Sequence, residues 1–137
     1  MKKIVIMTLI LMSIVILNAQ TIIVRDVAGS AYRTIQAGIN ACPNGGTVKI
    51  YPGTYTGTNN VNLNWTGKQI TITRYDDSGE VIIDCQNNGS YAFSLNTSSF
   101  QDVIQNLRIK NSMIGISITE RSVFISNCII EQNFHGI

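Results

Sequence analysis

The sequence has little charge of either sign. Charged residues make up 13% of its 137 positions, with ten Lys plus Arg against eight Asp plus Glu. Two of the cations, Lys2 and Lys3, sit at the N-terminus, and without them the count is eight against eight. A chain this close to neutral has no basic field for nucleic acid or for an anionic membrane surface. Histidine is almost missing, with His135 the one residue of its kind. Cys42, Cys85 and Cys128 show neither a C-x-x-C nor a Cys/His spacing, which argues against a zinc site. Their odd number leaves at least one thiol unpaired within the chain, and buried thiols are the favoured reading. No cysteine closely follows the apolar N-terminal run, which argues against a lipid anchor.

The N-terminal segment differs in composition from the rest of the chain. Lys2 and Lys3 precede an apolar run over residues 4–17, interrupted by Thr8 and Ser13, and Leu17-Asn18-Ala19 then offers a small residue for cleavage. This is the layout of a secretory signal peptide over residues 1–19, and the run is short for a bilayer span. The alternative is an uncleaved N-terminal anchor. The expected location is secreted, periplasmic or cell-surface, with no stable membrane association once the signal is removed.

The remainder is rich in Asn, Thr, Ser, Gly and Ile, a composition of short strands and turns. One helix is expected, over residues 34–41: Ile35, Ile39 and Cys42 share a face, Thr34 serves as N-cap, and Pro43-Asn44-Gly45-Gly46 stops it. Gly38 weakens that expectation slightly. Strands are expected over 21–24, 47–51, 61–63, 69–73, 81–84, 91–95, 103–109, 114–119 and 123–130.

An internal repeat selects the architecture. Asn106-Leu107-Arg108-Ile109-Lys110-Asn111 is echoed by Asn127-Cys128-Ile129-Ile130-Glu131-Gln132-Asn133, with Asn111 matched to Asn133 and Gly115 to Gly136. A looser copy begins at Val81, with Phe93 and Leu95 ahead of Ile116 and Ile118. A period near 22 residues, built from short strands, suits one turn of a β-solenoid whose coils lie roughly 4.8 Å apart. The expected inward columns are Val81, Leu107, Cys128 and Ile83, Ile109, Ile130. Asp84, Lys110 and Glu131 should stack outward, and Asn106 over Asn127 should form a corner ladder, since Asn tolerates left-handed backbone angles. In this register Cys85 and Cys128 lie two coils apart, roughly 9.6 Å, too far for a disulfide. An antiparallel sandwich fragment is the competing fold; it accounts for the strands but not for the period.

Thr34-Ile35-Gln36-Ala37, Pro43-Asn44-Gly45-Gly46-Thr47-Val48 and Tyr51-Pro52-Gly53-Thr54-Tyr55 resemble the N-terminal cap and first coil of the pectin-lyase-like right-handed parallel β-helix superfamily. Lys68-Gln69-Ile70-Thr71-Ile72 with Val81-Ile82-Ile83-Asp84 resembles the second coil, and the segments around Asn106 and Asn127 resemble later repeats. The resemblance covers residues 21–137. It implies an all-β right-handed parallel β-helix with one capping α-helix, residues 20–46 forming the N-terminal strand and cap and 47–137 the coils. The chain ends inside an expected strand, as a truncated product, a partial gene or a protein pairing its open coil with something else would; self-association through that coil is one expectation.

The same resemblance implies a polysaccharide-binding or polysaccharide-processing parent. Catalytic residues are not identified. Pectin methylesterases share Gly53-Thr54-Tyr55 but continue to a Glu, where this chain has Thr56-Gly57-Thr58. Arg108-Ile109-Lys110 matches polygalacturonases, yet His135 lies on the wrong side of it. Asp76-Asp77 precedes Ser78-Gly79 and reads as a solvated turn; calcium there would need further oxygen ligands, and no cofactor is called for. The face that family enzymes use as a groove should present Ala92, Ser94 and Asn96, then Gly115, Ser117 and Thr119. Ser94, Asn96, Ser117 and Thr119 are the candidate sugar-binding residues; they supply no acid or base. Tyr51, Tyr55, Trp65, Tyr75 and Tyr91 are candidates for stacking on sugar rings but more often serve as packing. Asn64, Asn88 and Asn96 begin N-x-S/T sequons. A non-catalytic surface or adhesin scaffold is the alternative function.

Overall fold

A computed structural model describes residues 19–96, 101–119 and 122–137. The expected signal segment lies outside them, apart from Ala19.

Every strand pairing is parallel. The first sheet holds β1 (Thr21–Val24), β2 (Thr47–Ile50), β4 (Thr71–Arg74), β7 (Gln101–Gln105) and β10 (Ser122–Ser126), in that spatial order. The second holds β3 (Gly53–Tyr55), β5 (Val81–Asp84), β8 (Arg108–Lys110) and β11 (Ile129–Glu131). The third pairs β6 (Tyr91–Leu95) with β9 (Ile114–Ile118), extended by single bridges from Leu63 to Phe93 and from Ile114 to His135. The chain visits the three sheets in turn and returns one level further along each time, which makes a β-solenoid of about four coils.

Apolar side chains stack level upon level. Ile22, Val48, Ile72, Ile104 and Ile125 are successive register partners. So are Tyr55, Ile83, Ile109 and Ile130. Val48, Ile72, Ile104, Ile83 and Ile109 are fully buried, and Ile125 and Ile130 pack partly buried against them. Burial of each such side chain stabilises the fold by about 1.5–3 kcal/mol. The expected columns through Val81, Leu107 and Cys128 and through Ile83, Ile109 and Ile130 are present. Asp84, Lys110 and Glu131 are register partners as expected, but the charges pair differently: Lys110 reaches Asp84 at 3.6 Å, whereas Glu131 turns to Arg108 at 2.6 Å.

The period is not uniform. Gln101 to Ser122, Arg108 to Ile129 and Ile114 to His135 are each 21 positions apart, whereas Thr71 to Val103 is 32. Most of the extra residues fall in the connections between β4, β5, β6 and β7, each longer than its counterpart in the following coil. The runs over 103–109 and 123–130 are each two strands, because Asn106 (φ 60°) and Asn127 (φ 49°) turn the chain through the left-handed region. Asn127 donates from Nδ2 to Asn106 Oδ1 at 2.6 Å, and Asn106 donates to Thr73 Oγ1 at 3.0 Å. The next corner corrects the echo of Asn111: its counterpart is Gln132, both with positive φ, while Asn133 accepts from Ser112 N at 2.8 Å. The expected strand at 61–63 is one bridge, and Gly53–Tyr55 forms a strand beyond those expected from the sequence.

Helix α1 (Ile35–Ala41) lies against β1 and β2. Thr34 caps it, with Oγ1 accepting from Ala37 N at 3.4 Å. Ile35, Ile39 and Cys42 are buried, as the shared face predicts. Gly38 is what allows the contact: a Cβ there would stand 2.3 Å from Val24 Cγ2. No helix among the described residues is long and apolar enough to cross a membrane.

Candidate functional site

Sheet register brings the four predicted sugar-facing residues together. Phe93 lies over Ile116, Ser94 over Ser117 and Leu95 over Ile118. Phe93, Leu95 and Ile116 are buried, which leaves Ser94 and Ser117 half-buried as a hydroxyl row. Thr119 N donates to Leu95 O at 2.8 Å, which sets exposed Thr119 beside exposed Asn96 as a second row. Such a surface can exchange hydrogen bonds with hydroxyl-bearing ligands, but none of these four side chains moves a proton near neutral pH.

Ala92 and Gly115, expected on the same face, belong to the interior. Ala92 is fully buried, and a Cβ on Gly115 would lie 2.8 Å from Ile130 Cγ2 and 2.6 Å from Gly136 O. Strict alternation fails here because two successive residues, Ala92 with Phe93 and Gly115 with Ile116, are buried together. Only a small residue fits the first of each pair, so the polar face is narrower than alternation implies.

The stacking aromatics are engaged elsewhere. Trp65 is buried and donates from Nε1 to Asp102 Oδ1 at 3.0 Å, and buried Tyr55 donates from its hydroxyl to Tyr51 O at 3.0 Å. The rings of Tyr51 and Tyr75 stack at 4.1 Å between centroids, and the Arg25 guanidinium covers Tyr51 at 4.7 Å. Tyr91 remains half-buried on β6.

Several charged side chains are held in pairs. Arg108 makes a fork with Glu80, at 2.8 and 3.1 Å, and also donates to Glu131 at 2.6 Å. These bonds raise the Arg108 pKa and hold the Glu80 carboxyl below its ordinary value. Burial pushes Asp84 upward, but hydrogen bonds from Asn111 and Gln86 N together with nearby Lys110 outweigh it and lower its pKa. Arg108 and Lys110, the two cations of the Arg-Ile-Lys segment, are thus both committed within the coil stack. Asp76 accepts from Ser78 N at 2.9 Å and from the Ser78 hydroxyl, and Asp77 pairs with Arg74, the geometry of a solvated turn. Among the described residues no group of three or more His, Cys, Asp or Glu side chains is placed to hold a metal ion.

All three cysteines are free thiols. Burial raises the pKa of each; Cys85 is pushed up to about 11 by burial and by neighbouring Asp84, and Lys68 partly offsets the rise at Cys42.

Three consequential residues escaped sequence reasoning. Asp102 is fully buried and accepts from Ile70 N at 3.0 Å as well as from Trp65. It went unnoticed because the strand was expected to begin one residue later; extending alternation back from Ile104 would have found it. Asn60 Oδ1 accepts from Ile35 N at 2.9 Å at the start of α1. Lys68 Nζ donates to Ile39 O at 2.5 Å and Cys42 O at 2.7 Å at its end. Both reach the helix from 25 or more positions away, and no local signal marks such a cap.

No protein-family model, curated protein or solved structure matches this chain.

Proposed function

We propose that this chain is an exported, right-handed parallel β-helix that binds polysaccharide along the outward side of β6 and β9, as part of a polysaccharide-binding or polysaccharide-processing protein of the pectin-lyase-like kind. The observation that carries the reading is the in-register row of Ser94 and Ser117, with Asn96 and Thr119 exposed beside it. Parallel coils repeat such rows at roughly 4.8 Å, which sets hydroxyl-bearing side chains in a line along the stack. The resemblance around Thr34, Pro43 and Tyr51 supports the polysaccharide class.

The direct test is affinity electrophoresis of residues 20–137 through gels containing pectin, polygalacturonate, xylan or β-glucan. Retardation by at least one polymer is expected, weakened about tenfold or more in the Ser94→Leu/Ser117→Leu double variant. Unchanged mobility in all four gels would contradict the proposal.

A non-catalytic surface scaffold is the second reading. It is favoured by the commitment of Arg108 and Lys110 to Glu80, Glu131 and Asp84, which leaves that segment no free cation for a substrate carboxylate. Sequence downstream of Ile137 discriminates: acids or Arg/Lys recurring on one outward face support an enzyme, and a sorting or anchoring domain supports a scaffold.

A further inference from the structure

A cleft of about 600 Å³ opens beside α1, next to the Ser94 row, since its lining residue Asn64 follows Leu63, the bridge partner of Phe93; all ten residues lining it are uncharged. Its distinguishing feature is a set of amide side chains held at one end by the protein and open at the other. Asn62 Oδ1 accepts from Tyr91 N at 2.9 Å. Asn40 Oδ1 accepts from Gln36 Nε2 at 2.8 Å. Asn88 Oδ1 accepts from Ser90 N at 3.1 Å, and Asn64 Nδ2 donates to Asn62 O at 2.9 Å. Each bond fixes which way its amide faces. The Nδ2 groups of Asn40, Asn62 and Asn88 and the Oδ1 of Asn64 carry no partner among the described residues.

The walls are tied to one another as well. Gln36, on the helix, donates to Asn64 O at 2.8 Å and accepts from Asn64 N at 3.1 Å, so helix and first coil close on each other through both ends of one side chain. Asn62 is placed by a left-handed backbone angle, φ 54°; its backbone N–H donates to Tyr91 O in the neighbouring coil and its carbonyl accepts from Asn64 Nδ2. Ordering of these side chains is therefore complete before a ligand arrives, which removes a cost of binding.

We infer that this cleft is a second binding site, for an uncharged saccharide. Three donors and one acceptor, with no charge in the lining, match a ligand whose hydroxyl and ring oxygens accept readily. A uronate would have to shed water from its carboxylate with no cation in the lining to replace it. No aromatic ring lines the cleft, so there is no stacking contribution and the affinity is on the order of millimolar. The cleft adjoins the Ser94 row through Asn64, and the amides of Asn40, Asn62 and Asn88 set it apart from that row.

The test is a ¹⁵N NMR titration of residues 20–137 with cellohexaose, maltohexaose and tetragalacturonate, each to about 10 mM, following the side-chain amide signals. A neutral hexasaccharide is expected to shift the Asn40, Asn62 and Asn88 amide signals, with tetragalacturonate at least fivefold weaker. Asn62→Asp keeps the oxygen that Tyr91 N needs and replaces the outward donor, so it should weaken neutral-sugar binding about tenfold with its backbone spectrum retained. Absence of shifts with both neutral sugars, tighter binding of tetragalacturonate, or full affinity in Asn62→Asp would each overturn the inference. Shifts confined to the backbone amides of Ser94 and Ser117 would overturn it too, while leaving the proposed polysaccharide face standing.

Discussion

Asn106 and Asn127 do two jobs that few residues combine. Each adopts a backbone angle that costs most L-residues about 1–2 kcal/mol, and each side chain bonds to the level next to it. Asn106→Ala should therefore destabilise the chain by about 1–3 kcal/mol, and Asn106→Gly, which relieves the backbone but loses the ladder, by clearly less. Urea denaturation of the three proteins checks the order; equal losses would place all the cost in the side chain. Cys85 carries a pH prediction. Its folded pKa, about 11, lies above the ordinary 9.0, so the native state holds the proton more tightly than the unfolded chain. The stability this gives is complete below pH 9 and is lost between pH 9 and 11. Cys85→Ala should flatten that alkaline decline in a denaturation series. A decline equally steep in the variant would assign it to other groups.

At this scale the sequence was most legible where one residue decides one thing. Asn at a corner, Ile inside and the Leu107–Cys128 stacking follow from side-chain chemistry and a 21-residue echo. Asp102 and the inward Ala92 and Gly115 do not, since they depend on where a strand starts and where the wall bends. A bend that buries two successive residues leaves no mark in alternation.

Among elements, α1 shows how much of a short helix is external to it. Its seven residues are too few to be stable alone. Asn60 supplies an acceptor at one end and Lys68 a donor at the other, both from the first coil, while Ile35 and Ile39 close over β1 and β2. Gly38, which propensity counts against the helix, is the residue that lets it dock. Gly38→Ala should accordingly destabilise by about 1–3 kcal/mol through overpacking on Val24, despite the better helix propensity of Ala. A stabilised variant, measured by thermal melting, would mean the helix sits further from β1 than the contact requires. The helix was readable from Thr34, the Ile35–Ile39 spacing and the Pro-Asn-Gly-Gly stop. β3 was not, because Pro52-Gly53 reads as a turn and its pairing with β5 is set by residues 28 positions away.

For the molecule as a whole, each coil is stabilised by its neighbours more than by itself. The helix covers one end of the stack. In the last coil Phe124 (56% exposed), Ile129 (45%) and Phe134 (81%) meet solvent, and β10 and β11 pair on one side only. A polypeptide ending at Ile137 is expected to self-associate at micromolar concentration, with Phe134→Ser/Phe124→Glu reducing the effect. Sedimentation showing a monomer at all concentrations would contradict this.

Everything above rests on parallel strands stacked in the stated register, and nuclear Overhauser contacts between the backbones of successive coils measure that directly. Parallel-type Hα–HN contacts are expected to join β8 to β11 around Ile109 and Ile130, and β5 to β8 around Ile83 and Ile109. Short Hα–Hα contacts of antiparallel strands, or pairing of Ile109 with any residue other than these two, would contradict it.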